Sequence, residues 1–221
     1  MNRGHKHAPN EFYHIYSRGV EKRPVFLSDR DRKRFQKMLY IFNSENQIKY
    51  RDVAKIPLSK IDRGERLVNI GAYVEMDNHF HLLISENSPG GISKFMLKLL
   101  TSYSKYFNTI NKRTGRLFES EYKSRWCDSD PYLKYLFCYI PLNPLKNIFP
   151  EWKNKGVNDI AHAKHFLHHY TFSIYPDHSG IEREEGLILN PEAFPEYFPK
   201  TKSFDDFIEE WMLFAKTDII Q

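Results

Sequence analysis

Cysteine is scarce: Cys127 and Cys138 are the only two in 221 residues. Two thiols make no disulfide framework and fit a reducing cytoplasm. No apolar stretch approaches the length of a membrane span. The N-terminus, Met-Asn-Arg-Gly-His-Lys-His, lacks the apolar segment of a signal peptide. The chain has no internal repeat and no low-complexity tract. Neither charge sign dominates: 33 Lys and Arg stand against 28 Asp and Glu, a net +5 and a pI near 9.0. With so modest an excess, the placement of the basic residues carries more information than their number.

What is present suits a folded core. Hydrophobic residues make up 41% and aromatics 15%, which excludes global disorder. The length fits one large domain, or a domain with an appendage.

Read in order, Glu11 to Tyr16 is an aromatic-rich first strand that ends at Ser17-Arg18-Gly19. Ser28-Asp29-Arg30-Asp31 has the form of a capping box, and Phe35, Met38, Leu39 and Phe42 follow at helical spacing. Residues 44–66 are polar and weakly patterned, and read as a connection. From Leu67 to Met76, Val68, Ile70, Ala72, Val74 and Met76 alternate with Asn69, Gly71, Tyr73 and Glu75, predicting a second strand with one apolar face. The turn signal Asp77-Asn78 joins it to a third strand as an antiparallel hairpin. A long amphipathic helix runs from Ile92 to Ile110. Leu117 to Trp126 is aromatic and basic, and Ser129-Asp130-Pro131 opens a further helix that Pro141-Leu142-Asn143-Pro144 ends. After about residue 150 the texture changes, with a His-rich stretch and a last helix opening at Ser203.

The third strand, His79-Phe80-His81-Leu82-Leu83-Ile84, holds the chemistry. Side chains alternate along a strand, so His79 and His81 share one face while Phe80, Leu82 and Ile84 serve the other. Two imidazoles at i, i+2 can bind one divalent metal if a third ligand arrives from elsewhere. The competing reading is a pair of solvated polar residues at a strand end. Tyr139 and Asn143, four apart, share a helix face. A tyrosine can attack phosphorus and an Asn oxygen can bind Mg²⁺ or Mn²⁺; equally, Tyr139 can pack and Asn143 can cap the helix. Between Lys94 and Arg125, Lys98, Lys105, Lys112, Arg113, Arg116, Lys123 and Arg125 are interleaved with Tyr103, Tyr106, Phe118, Tyr122 and Trp126. Cations that track phosphates and rings that stack on bases suit a single nucleic acid strand; an ordinary solvated helix face is the alternative. His162, His165 and His169 at i, i+3, i+7 form a second cluster, either a metal site or surface histidines.

Four segments together resemble the HUH single-tyrosine transposases, and within them the REP-associated tyrosine transposase branch. They are Tyr73 to His81 (Y-V-E-M-D-N-H-F-H), Gly91 to Met96, Tyr106 to Phe118, and Tyr139-Ile140-Pro141-Leu142-Asn143-Pro144. The likeness runs from about Phe12 to Asn147, in the family order. It implies an α+β fold, a ferredoxin-like antiparallel sheet backed by helices, with a helical C-terminal extension: a catalytic domain over 1–150 and the extension over 151–221. It implies a metal-dependent single-stranded DNA endonuclease and strand transferase. Tyr139 falls on the family's nucleophile, and His79, His81 and Asn143 on its ligands for Mg²⁺ or Mn²⁺. Arg18, Lys98, Lys105, Lys112, Arg113, Arg116, Phe118, Lys123 and Arg125 are the expected DNA-binding set. The expected partner is single-stranded or hairpin DNA on a prokaryotic nucleoid, with a homodimer left open. Asp77 stands where the family usually has Pro, and Pro141 where it usually has His. The alternative function is a domesticated or inactive nucleic-acid-binding protein of the same fold.

Overall fold

The structure is a computed structural model that describes residues 7–198 and 201–213. The N-terminal stretch before His7, Ser203's side chain and the end of the extension after Leu213 lie outside the described residues.

Four strands form one antiparallel sheet: β1 (Phe12–Arg18), β2 (Val68–Met76), β3 (His79–Glu86) and β4 (Lys123–Trp126), in the order β2-β3-β1-β4. Helix α1 (Asp29–Ile41) follows β1, and α3 (Gly91–Ile110) follows β3. This βαββαβ order is ferredoxin-like. The connection between α1 and β2 carries the short α2 (Tyr50–Val53). Beyond β4 come α4 (Asp130–Leu142), α5 (Trp152–Lys155), α6 (Ile160–His169), α7 (Tyr175–His178) and α8 (Thr201–Leu213).

The helices begin where local chemistry satisfies their free N–H groups. At α1, the Ser28 hydroxyl accepts from the Asp31 amide, and the Asp31 carboxylate accepts from the Leu27 amide, as a capping box requires. At α3, the Glu86 carboxylate accepts from the Gly90 and Ile92 amides. Gly91 is obligatory there, because a Cβ would lie 2.1 Å from the Leu67 carbonyl oxygen.

The sheet is buried on both faces. Phe80 meets Phe35 of α1 at 5.1 Å between ring centroids and Phe118 at 5.9 Å, on the side covered by α1 and α3. The opposite face, which carries His79 and His81, lies under α4: the His81 and Tyr139 rings are 5.6 Å apart. The far side of α4 is buried too. Cys138, Leu142 and Leu145 join Trp152, Leu167, Tyr175, Phe204, Ile208 and Met212 in a second core. Both thiols are buried, and burial raises their pKa, that of Cys127 to about 12.

One expectation needs correction. The second strand has no single apolar face along its length. The register slips between Ile70 and Ala72: Ile70 opposes Ile84, whereas Ala72 opposes Leu83. Val68 and Ile70 therefore face α1 and α3, and Ala72, Val74 and Met76 face α4. A bulge adds one residue and inverts the alternation. Gly71 sits in it, where a Cβ would come 2.7 Å from the Phe194 ring. The aromatic, basic stretch from Leu117 is a strand only from Lys123 to Trp126.

Candidate active site

Directly opposed residues on neighbouring strands share a face. Tyr16 opposes His81 and Arg18 opposes His79. Lys123 and Arg125 oppose Tyr16 and His14 in turn. One sheet face thus carries three imidazoles, a phenol and three cations, with α4 laid across it. Tyr16, Arg18, His79, His81, Lys123, Tyr139 and Lys146 line one cavity of about 450 Å³.

The two expected histidines are held as neutral rings. Burial is the main cause, and nearby cations add to it: the His79 pKa falls to about 4 and that of His81 lies well below the usual range. Each has its Nδ1 engaged. His79 Nδ1 lies 2.6 Å from Asn78 Oδ1, and His81 Nδ1 lies 2.8 Å from His14 Nε2. An amide oxygen can only accept, so His79 Nδ1 carries the proton and its Nε2 keeps a lone pair. His14 is the residue sequence reasoning missed. Its own pKa is lowered to about 4, by burial and then by Arg125, and its Nδ1 lies 3.5 Å from the Tyr132 hydroxyl. The signal was present: His14, Tyr16 and Arg18 alternate on β1 as His79 and His81 do on β3.

Tyr139 is half-buried, with Tyr135 stacked at 5.3 Å. Burial raises its pKa, while a hydrogen bond with the Asn143 side chain pulls it down. Pro141 does not end the helix before Asn143. α4 runs through it and tightens into a 3-10 turn over Asn143–Asn147. The Asn143 amide N–H donates to the Ile140 carbonyl and leaves the Tyr139 carbonyl without its helical partner. The Asn143 side chain takes that place, Nδ2 donating to the Tyr139 oxygen at 2.6 Å. Asn143 is buried and does not line the cavity. Asp77, in place of the family proline, is paired with Arg32 at 2.5 Å.

Among the described residues, no group of three or more His, Cys, Asp or Glu side chains could hold a metal. The donors present are two neutral imidazoles beside a cavity. They fit a divalent ion that completes its shell with oxygen.

The sheet divides the expected DNA-binding set. Arg18, Lys123 and Arg125 stand on the histidine face; Arg18 pairs with Glu119 at 3.0 Å, and the Arg125 guanidinium lies 4.4 Å from the Tyr132 ring centre. Lys98 and Lys105 sit on α3 across the sheet, and Lys98 Nζ is spent on the Ser44 and Asn46 carbonyls at 2.6 and 3.1 Å. Lys112, Arg113 and Arg116 lie at the end of α3 and in the following turn. Phe118 is a core residue packed on Phe80, so its ring is not offered to a base. Within the histidine cluster of α6, the His165 and His169 rings are 4.3 Å apart, whereas His162 packs on Phe149.

With this geometry in place, residues 58–143 match the family model described as IS200-like transposase. The match spans 86 residues, less than half of the chain. A solved REP-associated tyrosine transposase bound to a REP hairpin is similar in structure, with a TM-score of 0.50. It is 12% identical, over 84% of this chain and 90% of that one; at that identity the likeness supports the fold alone. No curated protein sequence matches the chain. The matched segment begins at Leu58 and ends at Asn143, so it includes His79, His81 and Tyr139 and leaves out β1 with His14 and everything after Asn143. No helix among the described residues is long and apolar enough to cross a membrane.

Proposed function

We propose that this chain is an IS200-like transposase that nicks and rejoins single-stranded DNA at hairpins through a covalent 5′-phosphotyrosine on Tyr139. The observation that carries the reading is the convergence of Tyr139 with His79 and His81 on one cavity bordered by Arg18, Lys123 and Lys146. Tyr139 Oη attacks the scissile phosphorus and the bond to O3′ breaks, leaving a free 3′-OH. The phenol proton is lost and O3′ gains one. A later 3′-OH reverses the step at a new junction, so the bond energy is kept and no nucleotide cofactor is needed.

His79 and His81, through Nε2, are the proposed ligands of Mg²⁺ or Mn²⁺, with the Asn143 side-chain oxygen as the third. Such an ion, when bound, polarises the scissile phosphate as a Lewis acid and orients it. Arg18, Lys123 and Arg125 are the proposed phosphate contacts beside the site, and Lys112, Arg113 and Arg116 extend the track. We assign residues 1–150 to the catalytic domain and 151–221 to an extension that buries the outer side of α4. A DNA partner and a chain with only buried, unpaired thiols suit the nucleoid of a prokaryote.

The test is incubation with a hairpin-bearing single strand and Mn²⁺. A covalent protein–DNA adduct is expected, and Tyr139→Phe is expected to abolish it. An adduct that persists in that variant moves the nucleophile to Tyr135, one turn earlier. Salt-sensitive hairpin binding with no adduct in the native chain identifies a binding protein of the same fold instead.

A further inference from the structure

The C-terminal segment brings a cation to the proposed nucleophile. Lys153, on α5, places its Nζ 4.1 Å from the centre of the Tyr139 ring. It lies ten residues beyond the family-model match, which ends at Asn143, and no motif in the sequence points to it. Its surroundings set it apart from the other lysines nearby. Lys155 pairs with Glu151 at 2.5 Å and Lys164 with Glu209 at 2.7 Å. Among the described residues, neither Lys153 nor Lys146 forms an ion pair with a carboxylate. Both act on the same ground: Lys146 lines the cavity, and both charges help to hold His79 neutral.

Two like charges held close together without a counter-ion are costly unless an anion joins them. Lys153 is exposed at its surface side, yet its pKa is pulled down to about 8, first by desolvation and then by Lys146. A cation over a phenol face gains from the ring quadrupole. That contact can hold the ammonium in place before substrate arrives, but it does not neutralise it.

We infer that Lys153 is a catalytic residue of strand transfer, a cation that contacts the non-bridging oxygens of the phosphate as Tyr139 attacks it. The inference rests on Tyr139 being the nucleophile. As the Tyr139 Oη–P bond forms and the P–O3′ bond breaks, negative charge gathers on the phosphoryl oxygens. The phenol gives up its proton and O3′ takes one, so the step releases no net proton. A pre-positioned ammonium on the Tyr139 ring beside the cavity stabilises that charge more in the transition state than in bound substrate. On this view the segment after residue 150 completes the active site as well as covering α4.

The experiment measures the single-turnover rate of adduct formation by the full chain, with a hairpin-bearing single strand and Mn²⁺, and separately the affinity for the same DNA. Lys153→Met is expected to slow adduct formation by about 10²–10³-fold, the range for removing one charge-stabilising group, with hairpin affinity nearly unchanged. Lys153→Arg is expected to recover most of the rate, because it keeps the charge. Lys155→Met, on the same helix, is the control and is expected to react at the native rate. If Lys153→Met forms adduct at the native rate while Tyr139→Phe forms none, the inference falls and the nucleophile stands. If Lys153→Arg is as slow as Lys153→Met, or if rate and affinity fall together, a catalytic charge is also excluded. If the native chain forms no adduct, both readings fall.

Discussion

His14 sits behind His81 with its Nε2 2.8 Å from His81 Nδ1, and burial keeps both rings neutral. For His81 Nε2 to offer a lone pair, His81 Nδ1 must carry the proton and His14 Nε2 must accept it. The Tyr132 hydroxyl, 3.5 Å from His14 Nδ1, then lies on the side where His14 carries its own proton. A partner of this kind fixes the tautomer and orientation of a ligand. Replacing it typically costs about 10- to 100-fold in metal affinity or activity. His14→Ala is therefore expected to raise the Mn²⁺ concentration needed for adduct formation by about that factor. A Mn²⁺ titration of adduct yield checks this, with far-ultraviolet circular dichroism showing that the sheet is retained. An unchanged titration would remove His14 from the site. Phe118 carries the opposite lesson. Its place in a basic, aromatic stretch suggests stacking on DNA, yet it is 5% exposed and packs in the core. Composition counts rings, but it does not say which way a ring points.

At the scale of the element, α4 is the decisive helix. The proline at 141 costs it a backbone donor to the Phe137 carbonyl, and with Pro144 unable to donate, the Ile140 carbonyl accepts from the Asn143 amide instead. The Asn143 side chain takes the place that amide leaves by donating to the Tyr139 carbonyl. Its amide nitrogen thus serves the helix while its oxygen remains for a ligand, so the capping and ligand roles are compatible. Asn143→Asp separates them, because a carboxylate cannot donate to the Tyr139 carbonyl. Leaving that buried acceptor unpaired costs about 1–3 kcal/mol. The variant is expected to unfold at lower urea by a corresponding amount while keeping Mn²⁺-dependent adduct formation. Loss of Mn²⁺ dependence at unchanged stability would reverse the assignment. The bulge in β2 is the other element-scale event. It turns Ala72, Val74 and Met76 toward α4, so the strand edge beside the histidines is apolar and dry.

At the scale of the whole molecule, the segment after residue 150 is tied to the core at several places. Outer residues of α4 are shared with α5, α6 and α8. The edge of β2 is covered rather than open: the Glu75 amide donates to the Phe172 carbonyl, the Ile174 amide to Tyr73, and the Asn190 amide to Ile70. Exposed strand edges invite aggregation. A chain ending at residue 150 would uncover both that edge and the apolar flank of α4. It is expected to lose cooperative unfolding and to self-associate, which size-exclusion chromatography and urea titration would show. A monomeric, cooperatively unfolding 1–150 would establish it as an independent unit. The sequence by itself determined the Ser28 cap of α1, the hairpin turn at Asp77-Asn78, the shared face of His79 and His81, and the motifs that resemble a transposase. These are local matters, written in the period of side chains and in turn and cap residues. Which face β2 turns to α4, what holds His81, how the Asn143 side chain satisfies the Tyr139 carbonyl, and the arrival of Lys153 beside Tyr139 were decided by the tertiary structure. Each depends on contacts between residues far apart in the chain or on a backbone irregularity, and neither leaves a periodic trace in the sequence.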